Sequence, residues 1–428
     1  MTPIPSLATI ASTIPAYDAQ SLKLADASAF IARLVTPIST VERVGLRASL
    51  GRVLAQDIQA PFDVPTHDNS AMDGYALRGT ELNAGADSVF AVAATALAGH
   101  AVTGATSVGH CVRIMTGATM PTGLDTVVPQ ELTTTDADGR VRVPAGAVRA
   151  GEHRRVAGED LARGSVALCA GRLLRPADLG LLASLGQAEV PVHRRLRVAF
   201  FSTGDELRSL GEPLPPGCVY DSNRYTLWAM LTRLGFDVID LGVVADNEQA
   251  LEAAFLQAAA CADVVITSGG VSVGEADHTK AVMARLGDVL FWRVAMRPGR
   301  PLAIGRLNVA GQSALLFGLP GNPVAVMVSF YALVRDALLQ MAGATPNPLP
   351  LLRAVATREI RKKAGRTEFP RGFVSLGPQG WQVDVDLAQG SGILRSMSQA
   401  NGLVVLAHGQ ASVRAGDLVD VLPFDGLV

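Results

Sequence analysis

The chain has 428 residues, almost half of them apolar, and a formal net charge of −2. That length exceeds one ordinary domain and predicts about three units with sizeable cores. Near-neutrality excludes a global basic field for nucleic acid, so any bound anion must be held by local groups. No apolar run reaches 18 residues, and no basic stretch followed by an apolar one opens the chain. Both points predict a cytoplasmic protein with no membrane partner. Cys111, Cys169, Cys218 and Cys261 lack disulfide or metal-ligand spacing and read as small apolar residues in a reducing compartment.

Residues 1–20 are mixed in composition and predict poor order. From Leu22 to about Ala60 a helical spacing runs through Ala29, Ile31, Leu34, Leu46, Leu50, Val53 and Leu54, until Pro61 and Pro65 break it. Short β-type runs separated by Gly, Asp and Thr turns then continue to about Val148 and predict a small β-rich unit. Beyond a loop opening at Arg149, helix signals over Pro176–Leu185 suggest that the chain rejoins its N-terminal segment. The expected division is 22–60 with 150–193, an inserted β-rich 61–149, a central 194–345 and a last unit 346–428.

Arg195–Met341 alternates strands and helices. Strands are predicted at Leu196–Ser202, Asp237–Val243, Ala262–Ile266, Val289–Val294, Leu302–Ile304 and Ala314–Phe317. Helices are predicted at Asn223–Leu234, Asn247–Ala260, Asp277–Leu286 and Pro323–Met341, the last with Pro in its favoured first turn. This alternation predicts a doubly wound, mostly parallel sheet, with ligands collecting outside the carboxyl ends of its strands. After the proline-rich 346–350, alternating segments and glycine turns predict a small β-barrel or sandwich.

Chemistry concentrates at those strand ends. Thr267–Lys280 reads TSGGVSVGEADHTK, a strand, a glycine-rich turn and a helix start. Such a turn presents backbone N–H groups to a phosphate, and Gly269, Gly270 and Gly274 permit positive φ and close ligand approach. Glu275 and Asp277 would repel that phosphate unless a Mg²⁺ lay between them. An ordinary βα loop with a capping Asp fits the same residues. Pro65–Ala76 (PTHDNSAMDGYA) offers Asp68 and Asp73, which also suit Asx-turns. Thr116 ends an apolar run, Glu159 and Asp160 sit in a turn, and Asp205 and Glu206 follow a strand. Arg293, Arg297 and Arg300 surround a Pro-Gly turn and make either a local oxyanion site or a solvated basic turn. No G-x-S-x-G elbow, H-E-x-x-H or Walker A sequence is present.

Taken in order, DNSAMDGYA, RIMTGA, AGEDL, FSTGDEL, TSGGVSVGEADHTK and FGLPGNPV resemble one family, the molybdopterin molybdenumtransferases of the MoeA and gephyrin E-domain type. The resemblance runs from about Ala25 to Val428. It implies a multidomain α/β protein: an elongated N-terminal dimerisation domain, an inserted β-rich domain, a central molybdopterin-binding domain and a C-terminal β-barrel. The implied reaction inserts molybdate into the dithiolene of adenylylated molybdopterin with Mg²⁺-dependent release of AMP. An elongated homodimer drawing each site from both chains is implied, and a molybdopterin adenylyltransferase as a further partner.

Carried onto this sequence, the resemblance makes Asp68, Thr116, Asp160, Glu206 and Asp277 catalytic. Glu206 and Asp277 are then the Mg²⁺ ligands, with Asp246 nearby and Asp68 and Thr116 closing the cleft from the facing side. Ser268, Gly269, Gly270, Ser272, Gly274, Pro320 and Pro323 would bind the substrate. Arg293, Arg297, Arg300, Arg366, Arg371 and Ser391 supply donors for a tetrahedral dianion. Arg293, Arg297 and Arg300 stand where lysines are expected in bacterial relatives, keeping the charge but replacing an ammonium by a planar fork. Two alternatives stand beside this reading. A molybdopterin adenylyltransferase would share the central glycine loop but lack the DNSAMDGYA segment and the barrel. A non-catalytic scaffold of the same fold would not need the acidic residues.

Overall fold

The computed structural model describes residues 6–15, 17–271, 278–309 and 311–426. The chain forms two compact units. The first comprises Met1–Ala55, Gly171–Arg175 and Glu189–Val428, and the second Gln56–Ala170 and Pro176–Ala188.

The first unit is built on a six-stranded sheet. Its spatial order is Asp237–Val244, Arg197–Thr203, Val264–Ser268, Gln312–Leu319, Pro301–Val309 and Gly287–Arg293. The first four strands are parallel and the last two pair antiparallel. All five residues of Val264–Ser268 are buried, the mark of a strand covered on both faces. Val198, Phe200, Ile266 and Phe317 point to one core, shared with Leu227 and Leu231 of helix Ser222–Arg233 and with Val326 and Phe330. Ala199, Phe201, Val265 and Leu316 point to the other, against Leu251 and Phe255 of helix Glu248–Cys261 and Val282 and Met283 of helix His278–Leu286.

The mostly parallel, doubly wound sheet was thus legible in the sequence. Its antiparallel edge follows from the short 309–312 connection, which leaves no room for a crossover helix. Helix Pro323–Met341 is long and apolar enough to cross a membrane by length and composition, yet 72% of its most apolar window is buried inside the protein. It is a core helix, with one π turn at Phe330–Val334. A closed barrel of Leu352–Ala356, Gly380–Asp384, Arg371–Gly377, Gly402–Val405 and Leu418–Pro423 ends the unit. Inward residues such as Ala354, Val374, Val383, Val404 and Val421 fill it.

Two N-terminal expectations are corrected. Residues expected to be poorly ordered form helix Leu7–Ser12, capped by the Ser6 hydroxyl accepting from Thr9 N at 3.2 Å, with Leu7 and Ile10 buried. The helix expected from Leu22 to Ala60 ends at Leu34, and its buried face is Ala27, Phe30, Ile31 and Leu34, with Ala29 exposed. Val41–Gly45 is instead a strand paired with Glu189–His193, followed by a short 3₁₀ turn at Leu46–Ser49. That partner lies so far along the chain that no local periodicity announces it.

The second unit carries another six-stranded sheet. Its order is Thr126–Pro129, Gly74–Leu77, His110–Ile114, Ser88–Ala96, Val141–Val143 and Thr134–Thr135. Ala76, Val112, Ile114 and Val127 pack one face, and Leu77, Phe90, Cys111 and Val128 the other. Asn69–Ser70 pairs with Arg154–Arg155 outside this sheet.

Candidate functional site

Register places four parallel strand ends side by side in the first unit. Ser202 lies opposite Ser268, Thr203 opposite Val244, and Ser268 opposite Leu319. The turns that follow therefore share one edge: Gly204–Glu206, Ala245–Asp246, Gly269–Gly270 and Pro320–Gly321. Two are tied directly, since Asp246 N donates to Asp205 Oδ1 at 3.3 Å. Gly269 N donates to Leu319 O at 3.1 Å.

The glycines of the turn are required by the protein itself. Gly269 and Gly270 have φ of +95° and +68°. A Cβ on Gly269 would lie 2.4 Å from Thr203 O, and one on Gly270 2.2 Å from Thr279 Oγ1. Close approach is thus made by the neighbouring strand and the following helix, where the sequence suggested a ligand. Ser268 is 1% exposed, and its hydroxyl accepts from Asn223 Nδ2 at 2.7 Å. Pro320 is buried and Pro323 opens its helix half-buried. Ser272, Gly274, Glu275 and Asp277 lie outside the described residues.

Glu206 is exposed, and its carboxylate folds back over Gly204, where an added Cβ would lie 2.6 Å from Oε2. Among the described residues no three His, Cys, Asp or Glu side chains gather as a metal cage. The oxygen donors at this edge nevertheless suit Mg²⁺, which takes one or two carboxylates and fills its shell with water and phosphate oxygens.

A second feature of this unit is a cleft of about 480 Å³ between the Pro-Gly turn at 298–299 and the barrel. Arg297, Arg358, Arg361 and Arg371 line it together with Glu368, Phe369 and Gln389. The pairing of Met296–Arg297 with Thr367–Glu368 brings the Pro-Gly turn to the barrel. Glu368, only 6% exposed, accepts from Arg366 Nε at 2.6 Å and lies 4.0 Å from Arg297 Nη1. Arg371 is 1% exposed, and its Nη2 donates to Ala388 O at 2.6 Å and Gly390 O at 3.2 Å. Burial lowers its pKa from the ordinary guanidinium value. Arg371 thus shapes the 388–390 segment, while the largely exposed Arg297 is loosely paired with Glu368 and presents the rest of its fork to solvent. Arg293 and Arg300 are engaged through backbone groups, Arg293 O accepting from Leu22 N and Arg300 O from Val294 N. Ser391 O accepts from Val324 N in the first turn of helix Pro323–Met341.

The second unit gathers three of the quoted motifs. Thr116 donates from both its amide and its hydroxyl to Asp73 Oδ1, each at 2.7 Å. Those two bonds, amide first, hold the Asp73 carboxyl below its ordinary value. Asp68 Oδ1 accepts from Ala157 N at 2.9 Å, and Oδ2 lies 3.6 Å from Arg154 Nη1. Asp160 is exposed, and its amide donates to Val64 O. Asp73 was offered by its segment without an assigned role, and Arg154, Asn223 and Glu368 were not singled out from the sequence. Their significance rests on contacts with residues distant in the chain.

A mostly parallel α/β sheet with polar turns along one edge, in one unit with a closed barrel, places the chain in a multidomain α/β class. Models of known families match the chain in three consecutive stretches. They are the MoeA N-terminal region (domain I and II) over 22–186, a probable molybdopterin binding domain over 199–340, and the MoeA C-terminal region (domain IV) over 353–424. A molybdopterin molybdenumtransferase of Haemophilus influenzae is 42% identical, covering 94% of this chain and 98% of its own. Another from Bacillus subtilis is 35% identical over 89% of each. The crystal structure of a molybdopterin biosynthesis MoeA protein from Pyrococcus horikoshii matches with a TM-score of 0.81 at 27% identity, covering 95% of this chain and all of that one. The chain belongs to the MoeA family of molybdopterin molybdenumtransferases, transferases of molybdenum cofactor biosynthesis.

Proposed function

We propose that this protein inserts molybdenum from molybdate into the dithiolene of adenylylated molybdopterin and releases AMP. The observation that carries the reading is the arginine-lined cleft of about 480 Å³, in the same unit as the four strand-end turns. A tetrahedral dianion needs cationic donors, and Arg297, Arg358 and Arg361 supply more positive than negative charge to the cleft, whose carboxylates are Glu359 and Glu368. The turns at Gly204–Glu206, Ala245–Asp246, Gly269–Gly270 and Pro320–Gly321 hold the pterin and its phosphates. Ser268, Ser272, Gly274, Pro323 and Ser391 complete that surface.

Glu206 and Asp277 would hold Mg²⁺, with Asp246 as a further carboxylate of the site. When bound, Mg²⁺ would supply positive charge to offset that of the phosphates. Arg293, Arg300 and Arg366 add positive potential. Asp68, Thr116 and Asp160 also take part; Asp68 is oriented by Arg154 and the Ala157 amide, and the Thr116 hydroxyl is fixed by Asp73. The protein acts in the cytoplasm as a homodimer and receives its substrate from a molybdopterin adenylyltransferase. Its four cysteines are free thiols, which suits a reducing compartment.

The deciding experiment supplies purified protein with adenylylated molybdopterin and Mg²⁺, with and without molybdate. Metal-loaded cofactor and AMP should form together only when molybdate is present. Formation of adenylylated molybdopterin from ATP and free pterin would instead identify an adenylyltransferase, and binding without any turnover a scaffold.

A further inference from the structure

We infer that Asn223 is the positioning residue of the pterin site, an amide clamp that holds the glycine turn and the Pro320–Gly321 turn at a fixed separation. The inference rests on the functional reading above and adds a residue that no motif in the chain pointed to.

Asn223 is the second residue of helix Ser222–Arg233, whose first turn is fixed by the Asp221 side chain accepting from Arg224 N at 3.2 Å. Its side chain is 6% exposed. Both amide hydrogens of Nδ2 are used, one on Ser268 Oγ and one on Gly321 O, each at 2.7 Å. The carbonyl acceptor fixes the orientation of the amide, because a flipped group would set oxygen against oxygen. Ser268 ends one strand and Gly321 follows the neighbouring one, so a single planar group bridges the ends of two elements. Ser268 Oγ in turn donates to Pro320 O at 3.5 Å, closing a small polar network across the same gap. Few other side chains could do this. Leu and Ala offer no donor, Asp has the shape but would set its charge against the Gly321 carbonyl, and Ser offers one donor on a shorter arm.

The acceptor end of the amide is also informative. Asn223 Oδ1 is buried with no protein hydrogen-bond partner among the described residues, as are Ser202 Oγ, Thr203 Oγ1 and Thr267 Oγ1 at or beside the same strand ends. Such atoms cost free energy comparable to a lost hydrogen bond when left without any partner. Spacing two ligand-binding turns is a role that tolerates this cost, since a fixed gap lets substrate bind without first ordering the loops.

The test compares the parent with Asn223→Ala and Asn223→Asp, using Leu251→Ala, a core change on the opposite face of the sheet, as a control for general destabilisation. In the free protein, amide hydrogen exchange at Gly269 should quicken at least tenfold in both Asn223 variants, with Val264–Ile266 unchanged; equal rates at Gly269 would overturn the clamp. In calorimetric titration, both variants should bind adenylylated molybdopterin at least tenfold more weakly, while kcat at saturating substrate stays within threefold of the parent. Parent-like affinity, or an equal loss in Leu251→Ala, would reduce Asn223 to a structural residue. A parent that neither binds nor turns over the pterin would overturn the functional reading, a result separate from the exchange rates.

Discussion

Arg194 and Asp263 form a two-pronged ion pair, Nη1 to Oδ2 and Nη2 to Oδ1, both at 2.7 Å. Asp263 immediately precedes strand Val264–Ser268, and Arg194 lies just before strand Arg197–Thr203; Arg197 N also donates to Asp263 Oδ2. The pair therefore pins the register of two strands at the end opposite the turns that carry the site. Burial alone would raise the Asp263 carboxyl, but the Arg194 and Arg197 hydrogen bonds outweigh it and hold the carboxyl below 3.8. Because the folded value is depressed, its stabilisation is fully present above pH 3.8 and is lost as pH falls through the folded value. Asp263→Asn should cost about 3 kcal/mol in urea unfolding near pH 7. The gap between variant and parent should shrink below pH 3.8.

Gly270 and Gly117 separate backbone strain from steric exclusion. Both have positive φ, but nothing lies within 4 Å of a Cβ at Gly117, whereas one at Gly270 would sit 2.2 Å from Thr279 Oγ1. Gly117→Ala should cost about 1 kcal/mol, from strain alone. Gly270→Ala should cost about 3 kcal/mol, adding the overpacking against helix His278–Leu286. Thermal unfolding of the two variants measures the difference.

Arg297 and Arg371 line one cleft but differ in what they hold. Arg297→Ala should leave the melting temperature within a degree or so, and raise the molybdate needed for half-maximal turnover about tenfold, the loss of one charge-assisted bond. Arg371→Ala should lower the melting temperature as well, because the carbonyls of Ala388 and Gly390 lose their donor. An unchanged molybdate requirement in Arg297→Ala would place the dianion elsewhere.

Glu206→Gln keeps the shape of the side chain and removes its charge. Pterin binding should persist while AMP release slows more than tenfold at low Mg²⁺, recovering in part as Mg²⁺ is raised. The measurement is AMP release at a series of Mg²⁺ concentrations. Asp246→Asn should act in the same direction more weakly.

The N-terminal helix makes a stability prediction. Leu7 is 1% exposed and joins the core that contains Phe30 and Trp292. Leu7→Ala should destabilise the protein by about 3 kcal/mol, read from the denaturation midpoint. A loss under 0.5 kcal/mol would mean the helix is not docked in solution.

Elements whose signals are local were legible in the sequence. Apolar runs such as Val264–Ile266, Pro at the start of helix Pro323–Met341, and glycine turns sufficed to read the mostly parallel sheet and a small C-terminal β unit, left open between barrel and sandwich until the family resemblance chose the barrel. The six motifs in their order carried the family. What the sequence could not show depended on pairs far apart in the chain. Val41–Gly45 is a strand paired with Glu189–His193, where the apolar spacing of the surrounding stretch suggested helix. The Gly270 turn looked like room for a ligand until Thr279 was seen to occupy that space. Asn223 read as an ordinary residue of a helix start, since its partners Ser268 and Gly321 come together only through strand register. Glu368 joined the arginine cleft for the same reason, through the pairing of Met296–Arg297 with Thr367–Glu368. Local chemistry is written in neighbouring residues, whereas a site is assembled by long-range packing, which tertiary structure alone decides.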